Sequence, residues 1–179
     1  MSYVILRTFN AIRAKDFGYK LTRTDRLILR RSPLHIHTEL QFSPRHQNIS
    51  FSNTMRDGNV GARFKNITYS HPEYWDSIVI QVTDAQEDKM VKKARTLVGQ
   101  KYDLCGLLSF ASPLSIIVPS GNKSWCCEVC WTVLNEVFGD LGVDPHKTQP
   151  TYSDYIARYY FEQNNNSIIL KANTSAKNI

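Results

Sequence analysis

Lys123-Ser124-Trp125-Cys126-Cys127-Glu128-Val129-Cys130-Trp131 packs three of the chain's four cysteines into a few residues. Ser124 is a natural N-cap, and apolar residues then recur at Cys126, Val129, Cys130, Val133, Leu134, Val137 and Phe138, stopping at Gly139. This one-faced 3.6-residue period predicts a helix whose first turn carries the cysteines. Unpaired backbone N–H groups and the positive end of the helix dipole favour a thiolate there, the form of cysteine that attacks carbon. In a helix capped by Ser124, Cys126 is the second helical residue and Cys127 the third, with side chains about 100° apart, so only one can face a given partner. Cys130, one turn beyond Cys126, reads as a small buried hydrophobe, as does Cys105.

A nucleophilic cysteine needs an imidazole to hold it as thiolate and a polar group to orient that imidazole. Of the five histidines, His46, His71 and His146 lie in polar, turn-like surroundings. His35 and His37 lie inside Leu34–Phe42, an apolar strand in which His35, His37 and Glu39 share one face at period two. An imidazole there is costly to bury without a hydrogen-bonding partner. Zinc is the rival use of the cluster, since Cys127 and Cys130 have Cys-x-x-Cys spacing and His35 or His37 offers nitrogen. A second clear ligand pair is missing, so no metal and no cofactor is assigned.

The remaining pattern places strands before helices. Tyr3–Thr8, Leu34–Phe42, Asn48–Ser52, Val60–Ile67 and Ser77–Val82 read as strands, with Arg56-Asp57-Gly58 as a turn. Leu21–Arg31 reads as a short helix ended by Ser32-Pro33. A capping box at Asp84 and Glu87 opens a second helix, with Met90, Val91, Ala94, Leu97 and Val98 on one face and Gly99 as its stop. Tyr152, Tyr155, Ile156, Tyr159 and Tyr160 mark a last helix over Thr151–Phe161. This segregation predicts an α+β fold, helices stacked on a small antiparallel sheet or half-barrel. Residues 1–162 form one domain, and 163–179 form a polar tail around Ile168-Ile169-Leu170, which is an edge strand, a tether to a partner, or a segment without structure.

A chain of 179 residues with 42% hydrophobic content buries a real core and is short for two domains. Lys plus Arg exceed Asp plus Glu by 22 to 16, with Arg23, Arg26, Arg30, Arg31, Arg45, Arg56 and Arg63 concentrated early. No nucleic-acid signature accompanies that excess, so it reads as a solvated or protein-contacting face. The apolar run at the N-terminus is too short for a signal peptide. Ser109–Pro119, the most apolar stretch, is interrupted by Pro113 and Pro119, so no membrane span is expected. Synthesis in a reducing cytoplasm is the corresponding expectation, and there clustered cysteines read as reactive rather than disulfide-bonded.

Four segments, in order, resemble the circularly permuted, NlpC-type papain-like cysteine hydrolases, the YiiX-like group. Ser32-Pro33-Leu34-His35-Ile36-His37-Thr38-Glu39-Leu40 is similar to that group's histidine strand, and Asn53–Phe64 to the segment that follows it. Tyr102-Asp103-x-x-Gly106 resembles its Tyr-Asp-x-x-Gly element, and Trp125-Cys126-Cys127-Glu128 its aromatic-Cys-Ser-Glu nucleophile motif. The resemblance spans about residues 20–160. It implies a permuted papain-like fold, with the histidine strand ahead of the cysteine helix. It also implies Cys126 as nucleophile, His37 as its base, Glu39, Ser50 or Ser52 as the orienting residue, and Tyr102, His35 and Ser52 around the substrate. Cys127 then stands where the family has serine.

The expected reaction is attack by a Cys126 thiolate on an amide, ester or thioester carbonyl, with His37 protonating the leaving group and water clearing the acyl-enzyme. The resemblance implies a peptidase or amidase, with cell-wall peptidoglycan as a candidate substrate and a phage or prophage as a candidate setting. The alternative is a virion structural or interaction protein that keeps this core and docks partners through its basic face and tail. DNA binding rests on net charge alone.

Overall fold

The computed structural model describes residues 2–55, 60–103, 123–139, 141, 143–163 and 167–170. Its spine is strand β1 (Ser2–Asn10), antiparallel to β2 (His35–Phe42) on one side and to β5 (Trp75–Val82) on the other. Beyond β2 come β3 (Ser50–Thr54) and β4 (Gly61–Lys65). Beyond β5, the backbone of β8 (Ser167–Leu170) adds a sixth antiparallel strand, so the apolar patch of the tail takes the edge-strand option. The chain is α+β.

Alternation decides which face is covered. Val4 and Leu6, Leu40 and Phe42, Ile78 and Ile80 point to one side, joined by Phe51. There they meet Met90, Val91 and Ala94 of α3 (Asp84–Leu97) and Val129, Cys130, Val133 and Leu134 of α4 (Cys126–Phe138). Ile156, Ala157 and Phe161 of α5 (Pro150–Gln163) complete this core. Burying one such aliphatic or aromatic side chain is worth about 1.5–3 kcal/mol, so this layer dominates the stability. A smaller cluster of Phe9, Ala11, Ala14 and Ile36 is walled by Tyr19, Ile28, Tyr74 and Trp75 at one end of the sheet.

Local details depart from the sequence expectations for identifiable reasons. The Asn10 side chain accepts the Arg13 N–H at 3.0 Å and starts a short helix, α1 (Ala11–Asp16), that the apolar pattern does not signal. Thr22 forms a capping box with Asp25 at the head of α2 (Arg23–Leu29). The cap of α3 is Thr83, paired with Gln86, rather than an Asp84–Glu87 box. Glu87 is diverted inward, where its carboxylate accepts the Ser43 N–H and hydroxyl at 2.7 and 2.9 Å. Strand β3 starts at Ser50 because Gln47 and Asn48 adopt φ of 60° and 54°, ending the preceding turn. Arg56-Asp57-Gly58, Cys105, Gly106 and Ser109–Pro119 lie outside the described residues.

One close approach sets up the next element. The Ala62 N–H donates to the Gln100 carbonyl, and the Gly99 N–H to the Ala62 carbonyl, both at 2.9 Å. A side chain at Gly61 would place its Cβ 2.9 Å from that Gln100 oxygen, and φ there is +126°, so only glycine fits. This contact delivers β6 (Lys101–Tyr102), which pairs in parallel with β7 (Lys123–Ser124). Among the described residues no helix is long and apolar enough to cross a membrane.

Candidate active site

The start of α4 is fixed from several directions. Asn53, fully buried in β3, donates through Nδ2 to the Ser124 carbonyl at 2.7 Å and to its hydroxyl at 2.9 Å. That hydroxyl in turn donates to Gln100 Oε1 at 3.0 Å, and the Asp103 N–H reaches the Ser124 carbonyl at 3.0 Å. Ser124 is therefore consumed by the β6–β7 pair and does not cap the helix. Trp125 is the cap residue, with its N–H on Glu128 Oε2 at 3.4 Å and its indole N–H on the Thr148 carbonyl at 3.1 Å. Cys126 thus becomes the first helical residue and Cys127 the second, one step earlier than the sequence suggests.

The histidine side is set by an irregularity in β2. Phe9 lies opposite His37 while Asn10 lies opposite His35, so Ile36 has no opposite number on β1. A bulge of this kind bends a strand and re-aims its side chains. Ile36 goes into the small aromatic-walled cluster, and His37 comes within hydrogen-bonding reach of Cys126. His37 Nε2 is 3.0 Å from Glu39 Oε1, which leaves Nδ1 as the nitrogen for the sulfur. Cys126, His37 and Glu39, proposed from distant parts of the chain, are therefore side by side.

Glu39 is itself held. Its second oxygen accepts the Tyr69 hydroxyl at 2.8 Å, and Tyr69 accepts from the Ser50 hydroxyl at 2.8 Å. The Arg7 guanidinium lies 4.2 Å over the Tyr69 ring, and Trp75 packs edge-on against both Tyr69 and His37. Of the three candidates for the orienting role, Glu39 is the one on His37. Ser50 reaches Glu39 only through Tyr69, and the Ser52 hydroxyl donates to the Thr38 carbonyl at 2.6 Å. Tyr69 carries no motif in the sequence, and Asn53 opens the segment 53–64 without any sign of its contact with Ser124; only folding shows what they hold.

The electrostatics follow from these contacts. Cys126 is held well below its ordinary thiol value, first by its hydrogen bond from Cys127 and then, against burial, by the bond and charge of His37 and the Thr38 backbone. Burial alone would depress His37, but Cys126 and Glu39 outweigh it and raise the imidazole from 6.5 to about 9. Burial also works against the Glu39 carboxylate, and His37, Tyr69 and Lys65 together hold it below its usual value. These shifts all favour a thiolate–imidazolium pair with an ionised carboxylate behind it. Burial pushes the Cys127 and Cys130 thiols up, so both stay protonated.

Cys127 is more than filler. Its sulfur lies 3.9 Å from Cys126 Sγ and 3.2 Å from Thr38 Oγ1, so the chain of donors runs Thr38 hydroxyl, Cys127 thiol, Cys126 thiolate. Cys130 instead faces the Thr38 and Phe51 carbonyls at 3.8 Å. Replacing Cys127 by alanine is expected to slow Cys126 alkylation at pH 6 by about fivefold, with Cys127→Ser retaining most of the rate, as mass-spectrometric labelling reports. Glu39→Gln is expected to lower turnover by about tenfold or more. It also moves the alkaline limb of the pH–rate profile to lower pH, because a carboxylate that supports the imidazolium is gone.

His35, expected at the substrate, has another occupation. It is 3% exposed, with Nε2 at 2.7 Å from Asp76 Oδ2. Asp76 also binds Asn10 and Arg13, and these partners hold its carboxyl well below the usual range despite burial. The bulge separates this pair from His37 and Glu39.

Three clefts surround the pair. The first reaches Cys126 between Leu27, Ile28, Ile36, Trp125 and Pro150. A second reaches His37 past Tyr19, Thr22, Thr24 and Met55, and shares Ile28, Ile36 and Tyr102 with the first. The third lies behind the imidazole among Glu39, Ser50, Ser52, Arg63 and Lys65. Tyr102 therefore stands on the ridge between the sulfur side and the imidazole side, Ser52 is on the wall behind, and His35 is on none of the three. Comparison with protein-family models, with curated proteins and with solved structures gives no match.

Proposed function

We propose that this protein is a cysteine hydrolase that cleaves an amide, ester or thioester through an acyl-enzyme on Cys126. The observation that carries the reading is the Cys126–His37–Glu39 alignment at the first residue of a helix, with a depressed thiol and an imidazole raised to about 9. A buried thiolate beside an imidazolium is the arrangement that nucleophilic catalysis requires, and structural cysteines do not need it.

In the first step Cys126 Sγ attacks the carbonyl carbon. The developing oxyanion meets the N–H groups at the start of α4, which have no partner within the helix. His37 passes its proton to the leaving nitrogen, oxygen or sulfur as the bond to carbon breaks. Water then enters, His37 takes one of its protons, hydroxyl adds to the acyl carbon, and the carbon–sulfur bond breaks to restore the thiolate. Glu39 remains ionised and keeps the ring oriented throughout. A histidine strand that precedes the cysteine helix supports the permuted papain-like reading of the chain order.

Incubation with activated acyl esters, thioesters and peptidoglycan fragments, followed by acid quench and mass spectrometry, tests the reading. Acyl mass on the peptide containing Cys126 is expected; turnover with the label elsewhere, or acylation by no donor at all, defeats it.

A further inference from the structure

Cys127 makes and breaks no covalent bond in the hydrolytic steps, yet its thiol lies 3.9 Å from the Cys126 sulfur, and both cysteines are reduced. Cys126 is held as a thiolate at the end of a cleft, while Cys127 is fully buried behind it. Thiolate character and access are what expose a cysteine to peroxide, and a second thiol beside it decides whether the damage is reversible.

We propose that Cys126 and Cys127 form a peroxide-responsive modification site in which Cys127 is the resolving thiol, turning oxidised Cys126 into a reversible disulfide and sparing it from irreversible oxidation. The proposal goes beyond the hydrolase reading and stands without it, since it requires only the reactive thiol and its neighbour.

The chemistry has two steps. The Cys126 sulfur attacks one oxygen of hydrogen peroxide, the oxygen–oxygen bond breaks, and the departing hydroxide takes the His37 proton and leaves as water. Cys126 is then a sulfenic acid, oxidised by two electrons. Besides burial, what holds the proton on Cys127 is its hydrogen bond to the Cys126 thiolate and that thiolate's charge. Oxidation removes that charge, and the Thr38 hydroxyl, 3.2 Å from the Cys127 sulfur, remains to favour the thiolate. Cys127 sulfur attacks Cys126 sulfur, the sulfur–sulfur bond forms, the sulfur–oxygen bond breaks, and the hydroxyl leaves as water with the Cys127 proton.

The bridge is strained by its position. Consecutive Cα atoms are about 3.8 Å apart, closer than the roughly 4.4–6.8 Å that disulfides usually span. The helix start supplies the room. Cys126 and Cys127 are its first two residues, whose N–H groups have no acceptor within the helix. The turn is closed by the Val129 N–H on the Trp125 carbonyl at 3.3 Å and the Trp125 N–H on Glu128 at 3.4 Å, both at the long end for such bonds. Opening this turn costs little, and the strain that remains makes the disulfide easy to reduce. Cys130, one turn on, has its sulfur against the Thr38 and Phe51 carbonyls instead.

The test treats the protein with a few equivalents of hydrogen peroxide, blocks remaining thiols, and reads the peptide containing residues 126–130 by mass spectrometry before and after dithiothreitol. In the wild type, and equally in Cys130→Ala, a loss of two hydrogens is expected, with Cys126 labelling restored by dithiothreitol. Cys127→Ser keeps a hydroxyl beside Cys126 but cannot close the bridge. It is expected to accumulate sulfinic and sulfonic acid, with the recoverable fraction of Cys126 lower by about tenfold or more and a thermal melt showing the fold intact. Wild-type Cys126 passing directly to sulfinic acid overturns the proposal whatever the variants do. So does a reversible bridge that survives Cys127→Ser or is lost in Cys130→Ala.

Discussion

Cys126→Ala is expected to reduce turnover on any productive acyl donor by on the order of a thousandfold or more, to the level left by binding alone. The effect is this large because, among the described residues, no neighbouring thiol can take over. Cys127 is fully buried and Cys130 is as well, and burial keeps both protonated. Cys127 also points its sulfur at Thr38, not at His37. The substitution removes one small side chain at a helix start, so the melting temperature should move little, which separates loss of chemistry from loss of fold. Single-turnover assays with the alanine and wild-type proteins provide the measurement; residual activity within tenfold of wild type would remove Cys126 from the mechanism.

His37→Ala should act on two observables in different directions of pH. In the wild type, the pair is thiolate and imidazolium from the depressed Cys126 value up to about 9, where His37 loses its proton. Alkylation of Cys126 should accordingly be fast at pH 6 and remain fast above 9, since the thiolate persists. Hydrolysis should instead fall above about 9, because the acid that protonates the leaving group is lost. Without the imidazole, Cys126 loses both a hydrogen bond and a positive charge, so its thiol returns toward ordinary values. Alkylation at pH 6 should then drop by about tenfold or more, hydrolysis by about a hundredfold or more, and the alkaline limb should disappear. Alkylation at pH 6 that ignores His37 would show that the thiolate owes nothing to it.

These expectations rest on contacts of unequal visibility in the sequence. Cys126 is conspicuous because a cluster of thiols at the head of an apolar period is a local pattern. His37 stands out because imidazoles inside an apolar strand ask for partners. Glu39, two residues later, follows from period two. Asn53 and Tyr69 are different: one is an ordinary strand asparagine and the other a loop tyrosine, yet the first pins Ser124 and the second holds Glu39. His35 has the same local setting as His37 and ends in a separate hydrogen bond with Asp76.

The sequence by itself determines what depends on neighbours along the chain: the α+β class, most strand and helix positions, and the helix that begins with the cysteines. It does so because side-chain periods of 2.0 and 3.6 residues and turn chemistry are short-range properties. Only the tertiary structure decides that Ser124 is spent on Asn53 rather than on the cap, and that a bulge at Ile36 parts His37 from His35. It also decides which cleft Cys126 faces. Each of these turns on which groups, tens of residues apart, compete for one hydrogen bond or one place in the packing, and that competition exists only once the sheet and helices have met.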